Sequence, residues 1–456
     1  MAQTVTLVFD IGKTNKKLFL FDENLKELHR EYVRFDEIPD DDGFMSEDLA
    51  SLIGWIKDCT SRFVNDPKFE VKAINFSTYG ASMVHLDENG EIISPFYNYL
   101  KSFPEDLKRH FFDKYYGEAE FSLATASPFM GFLNSGLQLY YLKYEKPEIF
   151  KKLHKSLHFP QYLSGLLTGK YISDYTSLGC HTGLWDFENS KYAHWVEAEG
   201  FEKYLPPIQQ TNSFFQTQLN DKSVNIGVGV HDSSSALVPY IQTTQDPFVL
   251  ISTGTWSICM NFFNETELTE SELASDSLNF LGIKGHSIKA TRLFLGQEIR
   301  EQAMRLGTHF GCEYHRYKSI SYDSSFKSLS EKREKLCFRY IHLNPERFGF
   351  DQPQETNYNS FSSFEDAYHQ LMHELTEMQI ASLKMAIGDS AIKDVYVDGG
   401  FASNGLFIGM LAHKIPEYNI YSTEFALGSA LGAAILVNMR TIPSDFMEKT
   451  YKIRKH

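Results

Sequence analysis

Leu7 to Glu23 carries a clear pattern of apolar and polar positions near the start of the chain. The stretch reads LVFDIGKTNKKLFLFDE, so an apolar run ends at Asp10, turns through Gly12 and resumes as an alternating strand. Two such runs separated by a short glycine-containing turn are typical of a β-hairpin. The sequence therefore predicts a hairpin whose turn offers backbone N–H groups together with basic and hydroxyl side chains.

A second stretch, Val249 to Glu265, repeats this pattern 242 positions later. It reads VLISTGTWSICMNFFNE, which places Gly254 at the position of Gly12 and Thr255 at the position of Lys13. A hairpin repeated at about half the chain length indicates two similar domains that each direct a turn at a shared cleft.

The rest of the chain alternates strand and helix patterns. Val71 to Phe76 is an apolar run typical of a buried strand, and helical spacing extends from Glu148 to Leu157. Ser363 precedes a long helical pattern that it would cap. This alternation favours an α/β fold, with one domain over residues 1–241 and a second over residues 242–456.

Composition and charge narrow the class of protein. The chain has 456 residues, a formal net charge of −15 and a pI near 5.5, which argues against a nucleic-acid-binding surface as its main function. Its five cysteines are scattered and form no CxxC pair, which is typical of reduced thiols in a cytoplasmic protein. Its apolar runs are too short to span a membrane, and the N-terminus does not resemble a signal peptide. We therefore expect a cytoplasmic protein without nucleic-acid or membrane partners.

The turn of the first hairpin is a candidate phosphate site. Its five residues are Lys13, Thr14, Asn15, Lys16 and Lys17. Backbone N–H and ammonium groups can hold a polyphosphate, and the carboxylate of Asp10 could share a metal ion with it. An ordinary basic hairpin tip has the same composition, so the turn alone leaves both interpretations open.

Two later segments also carry candidate chemistry. Asn225 to Tyr240 reads NIGVGVHDSSSALVPY and places Asp232 at the start of a helical pattern, where the helix dipole stabilises a carboxylate. The same residue could be a helix N-cap, and the two roles are compatible because a cap can also face a cleft. Asp394 to Leu411 predicts a strand, a Gly399-Gly400 turn and a helix, which permits close approach of a flat or phosphorylated ligand. Neither a GxxxxGK(S/T) loop nor a GxGxxG motif after a strand is present.

Four motifs, taken in order, resemble the FGGY family of carbohydrate kinases. They are DxGxxxxK from Asp10, GxHDxxSA from Gly229, SxGTWS from Ser252 and VDGGxxxN from Val397. The family belongs to the actin-like ATPase superfamily, and the similarity extends from residue 5 to about residue 437. The segments HDSSSA and STGTWS most resemble the rhamnulokinase and fuculokinase branch, which acts on 6-deoxyketoses.

The resemblance implies two ribonuclease-H-like domains around a central cleft that holds ATP, Mg²⁺ and a sugar. The implied ATP-binding residues are Lys13, Thr14, Asn15, Lys16, Lys17, Gly254, Thr255, Gly399, Gly400, Ser403 and Asn404. Asp10 would hold Mg²⁺, and Asp232 would be the general base. The residues implied in sugar binding are Tyr79, Gly80, His231, Asp232 and Ser233. Since relatives are often dimers, a homodimer is a further expectation.

The activity implied by the resemblance is ATP-dependent phosphorylation of an L-rhamnulose-type or L-fuculose-type ketose at a primary hydroxyl. At Asp232 a carboxylate of ordinary acidity is expected to suffice, because a loose phosphoryl-transfer transition state asks little of the base. The alternatives are a kinase for xylulose, ribulose or another polyol, and a non-catalytic nucleotide-binding or sugar-binding regulator with the same fold.

Three features of the sequence leave the identity of the sugar substrate open. Lys13 stands where many family members carry Thr or Ala, so the first turn is more cationic than the family pattern. Tyr97 to Lys101 reads YNYLK and lacks the acid that the family uses in sugar binding at this point. The sugar-contacting residue expected within Asn279 to Gln297 is not identified by its sequence.

Overall fold

The computed structural model describes residues 2–115, 117–321, 335–423, 427–439 and 441–456. Its α-helices of ten or more residues are α1 (Leu49–Asn65), α2 (Glu105–Lys114), α3 (Phe159–Thr168), α4 (Asp232–Thr243), α5 (Leu295–Phe310), α6 (Phe364–Ile387), α7 (Gly405–Lys414) and α8 (Gly428–Asn438). Shorter helices cover Glu118–Ala124, Leu137–Glu145, Pro147–Phe150, Tyr175–Leu178, His194–Glu199, Glu270–Ala274 and Phe446–Tyr451. Short 3-10 helices cover Gly131–Leu133, Glu202–Tyr204, Tyr314–Ser319, Pro345–Phe348 and Tyr358–Ser360.

The first half of the chain builds one seven-stranded sheet. Its strands are β1 (Gln3–Ile11), β2 (Lys16–Asp22), β3 (Glu27–Val33), β4 (Phe69–Thr78), β5 (Phe214–Leu219), β6 (Lys222–Gly227) and β7 (Val230–His231). Their order is β5-β6-β4-β1-β2-β3, with β7 beside β4. β1, β2 and β3 are antiparallel, whereas β4 is parallel to β1 and β6 is parallel to β4. Leu7 and Phe9 pack toward α1 while Val8 packs toward α4 and α8, so both faces are covered and β1 is apolar throughout its centre.

The second half builds a sheet of related topology. Its strands are β8 (Phe248–Thr253), β9 (Ser257–Asn261), β10 (Ser277–Leu281), β11 (Ser287–Leu293), β12 (Asp394–Gly399), β13 (Asn419–Ser422) and β14 (Arg454–Lys455). Their order is β10-β11-β9-β8-β12-β13-β14. β8, β9 and β11 are antiparallel, and β12 and β13 run parallel to β8. Both sheets therefore contain three antiparallel strands followed by two parallel ones.

The two predicted hairpins occupy equivalent places in these sheets. The first closes on the pair Ile11–Lys16 and encloses residues 12–15. The second closes on the pair Thr253–Ser257 and encloses residues 254–256, so its turn is one residue shorter. The repeat seen in the sequence is thus a repeat of structure.

Two helices join the halves. Gly432 of α8 lies so close to α4 that a Cβ there would be 1.8 Å from the carbonyl oxygen of Ser235. Ser235 Oγ donates to the Ser429 carbonyl at 2.7 Å, and Asn75 Nδ2 of β4 donates to the Ala433 carbonyl at 2.8 Å. α8 therefore packs on the first sheet although its sequence belongs to the second half. The proposed division at residue 241 falls in the last turn of α4 and remains a proposal.

Residues 79–213 are inserted between β4 and β5 and form a mostly helical region with its own aromatic core. This core includes Phe111, Phe121, Tyr140 and Trp195.

Four pairs of short strands add to the first half. They are Glu37–Pro39 with Met45–Glu47, Met83–Leu86 with Lys155–His158, Ser173–Asp174 with Ile208–Gln209, and Trp185–Asp186 with Lys191–Tyr192.

The helix predicted from Glu148 to Leu157 is wrong over most of its length. The chain forms one helical turn at Pro147–Phe150 and then the strand Lys155–His158, which pairs with Met83–Leu86. Local helical spacing does not reveal a strand whose partner lies far earlier in the sequence, because the pairing is decided by tertiary contacts.

Candidate active site

A cleft of about 530 Å³ lies between the two sheets, where strand ends from both halves meet. Fourteen of the predicted site residues line it: Asp10, Lys13, Thr14, Asn15, Lys17, Tyr79, Gly80, His231, Asp232, Ser233, Gly254, Thr255, Gly399 and Gly400. Lys16, Ser403 and Asn404 are not among its lining residues. The fold thus brings most of the predicted residues together from segments far apart in the sequence.

The first turn is braced from inside and from outside. The Gly12 N–H donates to the Asn15 carbonyl at 3.0 Å, which closes the turn. Asn15 Oδ1 accepts from Arg34 Nε at 2.9 Å, and Lys13 Nζ lies 2.7 Å from Glu37 Oε1. The turn is therefore tied to Arg34 and to Glu37 of the short strand Glu37–Pro39.

Asp10 is held by groups from both halves of the chain. Its Oδ2 lies 3.3 Å from Lys17 Nζ, and its Oδ1 accepts a hydrogen bond from Ser429 Oγ at 2.9 Å. Attraction to Asp10 raises the pKa of Lys17. Mg²⁺ is usually bound through one or two carboxylates plus water and phosphate oxygens. The carboxylate of Asp10, with Asp232 and Asp398 lining the same cleft, fits that donor set.

Lys16 is directed away from the cleft. Its side chain is buried, forms an ion pair with Glu47 and donates to the Lys13 carbonyl at 2.9 Å. Adjacent residues of a strand point to opposite faces, so Lys17 faces the cleft and Lys16 faces the other way. The role of Lys16 in ATP binding stays a prediction.

Asp232 is the first residue of α4 and faces the cleft with 31% of its side chain exposed. Its Oδ1 accepts from the Ser233 N–H at 2.6 Å and lies 3.2 Å from His231 Nε2. Enclosure by the cleft walls raises the pKa of Asp232 to about 7, and the negative charge of Asp10 adds to the rise. The expectation of ordinary acidity is therefore wrong, because desolvation and a neighbouring carboxylate outweigh the helix dipole here.

The wall beside Asp232 is closely packed. A Cβ on Gly80 would lie 2.9 Å from Cys180 Sγ, which itself lies 3.2 Å from His231 Nε2. His231 Nδ1 is 3.1 Å from Ser234 Oγ. Burial lowers the pKa of His231 to about 4, so its ring is neutral at pH 7. Gly80 is thus required where a larger residue would displace Cys180.

Sequence reasoning missed several residues of this wall. They are Tyr99, Leu133, His181, Trp256, Phe280 and Arg292. Tyr99 lies in the YNYLK segment that lacks the family's acid, and Arg292 lies within Asn279 to Gln297. The sequence therefore indicates both segments as candidates for sugar binding, but it does not indicate that Tyr99 and Arg292 are the side chains that reach the cleft.

His181 and Arg292 are the polar members of this group. His181 Nδ1 lies 2.9 Å from the Leu133 carbonyl, which can only accept, so Nδ1 carries the proton and Nε2 remains an acceptor. Burial lowers the pKa of His181 to about 3, and the charge of Arg292 contributes. Arg292 Nε and Nη2 donate to Asp276 Oδ1 at 3.2 Å and 3.0 Å, and the guanidinium lies over the Trp256 ring at 5.0 Å.

The second turn and the Gly399-Gly400 turn lie side by side at the carboxyl ends of the paired parallel strands β8 and β12. The Gly254 N–H donates to the Trp256 carbonyl at 2.8 Å, and the Gly400 N–H donates to the Thr253 carbonyl at 2.8 Å. Gly399 has φ +88° and a Cβ there would lie 1.9 Å from the Thr253 carbonyl oxygen, so only glycine fits. Beyond this turn, Ser403 is exposed and Asn404 caps α7 by accepting from the Phe407 N–H at 3.1 Å.

Two sheets of matching topology that close on one cleft define the class of fold. It is the two-domain α/β fold of the actin-like ATPase superfamily, with ribonuclease-H-like domains. A family model described as "FGGY family of carbohydrate kinases, N-terminal domain" matches residues 5–238, just over half of the chain. The chain belongs to the FGGY family of carbohydrate kinases.

Individual relatives are distant. A rhamnulokinase of Halalkalibacterium halodurans is 26% identical over 270 residues, which is 56% of this chain and 55% of that protein, so the match spans about half the relative's length. A rhamnulokinase of Oceanobacillus iheyensis is 22% identical over 480 residues and covers 100% of this chain and 97% of that protein. The crystal structure of a carbohydrate kinase from Novosphingobium aromaticivorans shares the fold, with a TM-score of 0.76, 22% identity and coverage of 96% of this chain and 92% of that one.

Over the residues that the structure describes, the helices lack the combination of length and apolar composition needed to cross a bilayer.

Proposed function

We propose that this chain transfers the γ-phosphoryl group of ATP to a primary hydroxyl of a ketose of the L-rhamnulose or L-fuculose type, giving a sugar 1-phosphate. The observation that carries the proposal is the position of Asp232. Its carboxylate opens into the same cleft as both hairpin turns and the Gly399-Gly400 turn, and it lies next to His231. These four elements follow one another along the chain in the order of the family's motifs. Phosphoryl transfer depends mainly on alignment and charge neutralisation, and this cleft offers groups for both.

Asp232 would accept the proton of the attacking hydroxyl while that oxygen bonds to the γ-phosphorus and ADP leaves. A pKa near 7 suits this role, because the group is substantially ionised at neutral pH and still has useful proton affinity. Lys13, Lys17 and the second turn, at Thr255, would bind the phosphates. Mg²⁺ held by Asp10 would supply neutralisation of phosphate charge.

The same cleft walls support a sugar with one apolar end. Tyr99, Trp256 and Phe280 offer aromatic surface, whereas His181 and Arg292 offer an acceptor and donors for hydroxyl groups. Binding sites for small molecules commonly combine apolar walls with a few placed polar groups. The methyl group of a 6-deoxyketose would pack on the aromatic surface, and the relatives described above are named rhamnulokinases.

The test is a coupled ADP-release assay with L-rhamnulose, L-fuculose, D-xylulose, L-ribulose and D-ribulose. We expect turnover of a 6-deoxyketose and a loss of about 10²–10⁴-fold in kcat in Asp232→Asn. Asp394→Asn is the matched control, since Asp394 accepts from Asn419 outside the cleft. The proposal fails if none of these ketoses turns over, or if Asp232→Asn keeps the full rate.

A pentulose kinase is the second candidate. The segment Tyr97 to Lys101 contributes Tyr99 but no acid to the cleft, which departs from the family's sugar site and leaves the choice between a 6-deoxyketose and a pentulose to the assay. Turnover of D-xylulose or a ribulose ahead of L-rhamnulose would select it. Binding of ATP without any turnover would instead point to a regulator. A cytoplasmic location and a homodimer belong to the same proposal, the first because ATP is the donor and the five cysteines, all in the part of the chain that the structure describes, are thiols that form no disulfide.

A further inference from the structure

The buried side chains of Lys16, Glu47 and Tyr79 are linked in a row behind the first turn. Lys16 Nζ forms an ion pair with Glu47, and Tyr79 OH donates to Glu47 Oε2 at 2.7 Å. The side chains of Lys16 and Glu47 are only 5% and 4% exposed, and Tyr79 is 8% exposed. Such a charge pair loses its hydration on folding and is retained only where its partners are well placed. The three groups therefore hold one another in a single arrangement.

The two ends of this row of side chains reach different parts of the cleft. At one end Lys16 Nζ donates to the carbonyl of Lys13 at 2.9 Å, which fixes the backbone of the first turn from below. At the other end the ring of Tyr79 lines the cleft beside Gly80 and contacts the ring of Tyr99, with centroids 6.0 Å apart. The first turn is the candidate phosphate site, and the Tyr79 wall is the candidate sugar site.

We propose that Lys16, Glu47 and Tyr79 form a positioning relay that sets the first turn relative to the sugar wall, and that Lys16 acts through the Lys13 carbonyl and does not bind phosphate itself. Glu47, from the short strand Met45–Glu47, is the link, because it bonds both neighbours. Removing the Tyr79 hydroxyl then loosens the first turn through Glu47 and Lys16, whereas the backbone bond from the Tyr79 N–H to the Ile11 carbonyl at 3.1 Å stays in place. The relay rests on the proposed function only for the names of the two ligands.

This relay explains why two adjacent lysines differ. Lys17 reaches Asp10 at the mouth of the cleft, whereas Lys16 is committed to Glu47 and lies outside the lining. An exposed Lys16 would add only positive charge to the turn. The buried Lys16 instead holds the backbone of the turn in place through the Lys13 carbonyl. Because residues that share one hydrogen-bond network couple energetically, a change at Tyr79 should be measurable at the turn.

The experiment measures the Kd of MgADP by calorimetry, without sugar, for the wild type, Tyr79→Phe, Glu47→Gln and their double variant. Tyr79→Phe removes one oxygen and keeps the ring, so it leaves the fold least disturbed. We expect each single variant to weaken MgADP by about five- to tenfold, and the double variant to weaken it by less than the product of the two. Tyr162→Phe is the matched control, because Tyr162 is a buried tyrosine of α3 outside the cleft lining.

Steady-state kinetics distinguish positioning from general destabilisation. Under the relay, Glu47→Gln raises KM for ATP more than it lowers kcat, and it does so at a temperature well below its unfolding midpoint. An unchanged MgADP Kd in both Tyr79→Phe and Glu47→Gln overturns the relay, as does strict multiplicativity in the double variant. A wild-type chain that binds no MgADP overturns the proposed function and the relay together, whereas normal wild-type binding with silent variants overturns the relay alone.

Discussion

Ser429 of α8 donates a hydrogen bond to Asp10 of β1, with Oγ 2.9 Å from Oδ1. The start of α8 also packs closely against Asp398 of β12, since a Cβ on Gly428 would lie 2.3 Å from Asp398 Oδ2. The N-terminal residues of α8 thus lie between two carboxylates, Asp10 and Asp398, which belong to different sheets. Through this contact the orientation of Asp10, the candidate Mg²⁺ ligand, depends on the packing of the two halves.

Replacing Ser429 tests that dependence. In Ser429→Ala, Asp10 loses the donor that orients it, and we expect the Mg²⁺ concentration for half-maximal kinase rate to rise by about tenfold, the lower end of the range for partners of metal ligands. Ser164→Ala is the control, because its hydroxyl donates to the Gly227 carbonyl outside the cleft lining. An unaltered Mg²⁺ dependence in Ser429→Ala would contradict the role given to Asp10.

A substitution at Lys13 should change ATP binding without changing the stability of the fold. Its ion pair with Glu37 is partly exposed on both sides, so it contributes less than about 1 kcal/mol to the free energy of unfolding. We expect Lys13→Ala to raise KM for ATP by roughly three- to tenfold, while KM for the sugar and the unfolding midpoint change little. Initial-rate kinetics with each substrate varied, together with thermal unfolding, decide this. A larger effect on the sugar than on ATP would remove Lys13 from the phosphate site.

His181 is expected to act on the sugar alone. Its Nδ1–H is held by the Leu133 carbonyl and its Nε2 is left to accept a hydroxyl. His181→Phe keeps an aromatic ring but removes that acceptor, so we expect KM for the sugar to rise by about tenfold, with the MgADP Kd unchanged. His315→Phe, at an exposed position outside the cleft lining, serves as the control. Equal losses for both ligands would show that His181 supports the fold of the cleft instead.

Gly432 tests the contact between α4 and α8. Gly432→Ala places a methyl group where the Ser235 carbonyl oxygen lies 1.8 Å away, so the helices must separate. We expect a loss of at least about 2 kcal/mol in the free energy of unfolding, in the range of overpacked cores. Gly54→Ala in α1 meets no atom within 4 Å and should stabilise the protein by about 0.5–1 kcal/mol. Denaturant titration of both variants provides the comparison.

Buried histidines predict a loss of stability in mild acid. His85 lies between Ser156 Oγ at 2.9 Å and Gln138 Oε1 at 3.3 Å, and burial lowers its pKa to about 4. Since this value lies below the unfolded value near 6.5, the stabilisation is complete above pH 6.5 and is lost as pH falls toward 4. Burial lowers the pKa of His158 to about 4 as well. We expect the unfolding midpoint to fall over this window and to fall less in His85→Gln.

Much of the fold follows from local pattern. The two hairpins, the helix start at Asp232 and the Gly399-Gly400 turn are each encoded within about a dozen residues, because alternation, glycine and polar punctuation act over that distance. The repetition of the hairpin at about half the chain length is enough to predict two halves with a shared cleft. Local pattern fails at Lys155–His158, where helical spacing competes with a strand whose partner lies elsewhere.

The sequence by itself determined which segments line the cleft: the first turn, the second turn, Asp232 and the glycine pair. Only the tertiary structure decided which side chains of those segments reach the cleft. Lys16 and Lys17 are adjacent and chemically alike, yet one is buried against Glu47 and the other meets Asp10. The structure also set the pKa of Asp232, since desolvation and the charge of Asp10 come from residues distant in sequence. Composition and spacing encode local geometry, whereas burial and charge proximity exist only once the two halves have packed.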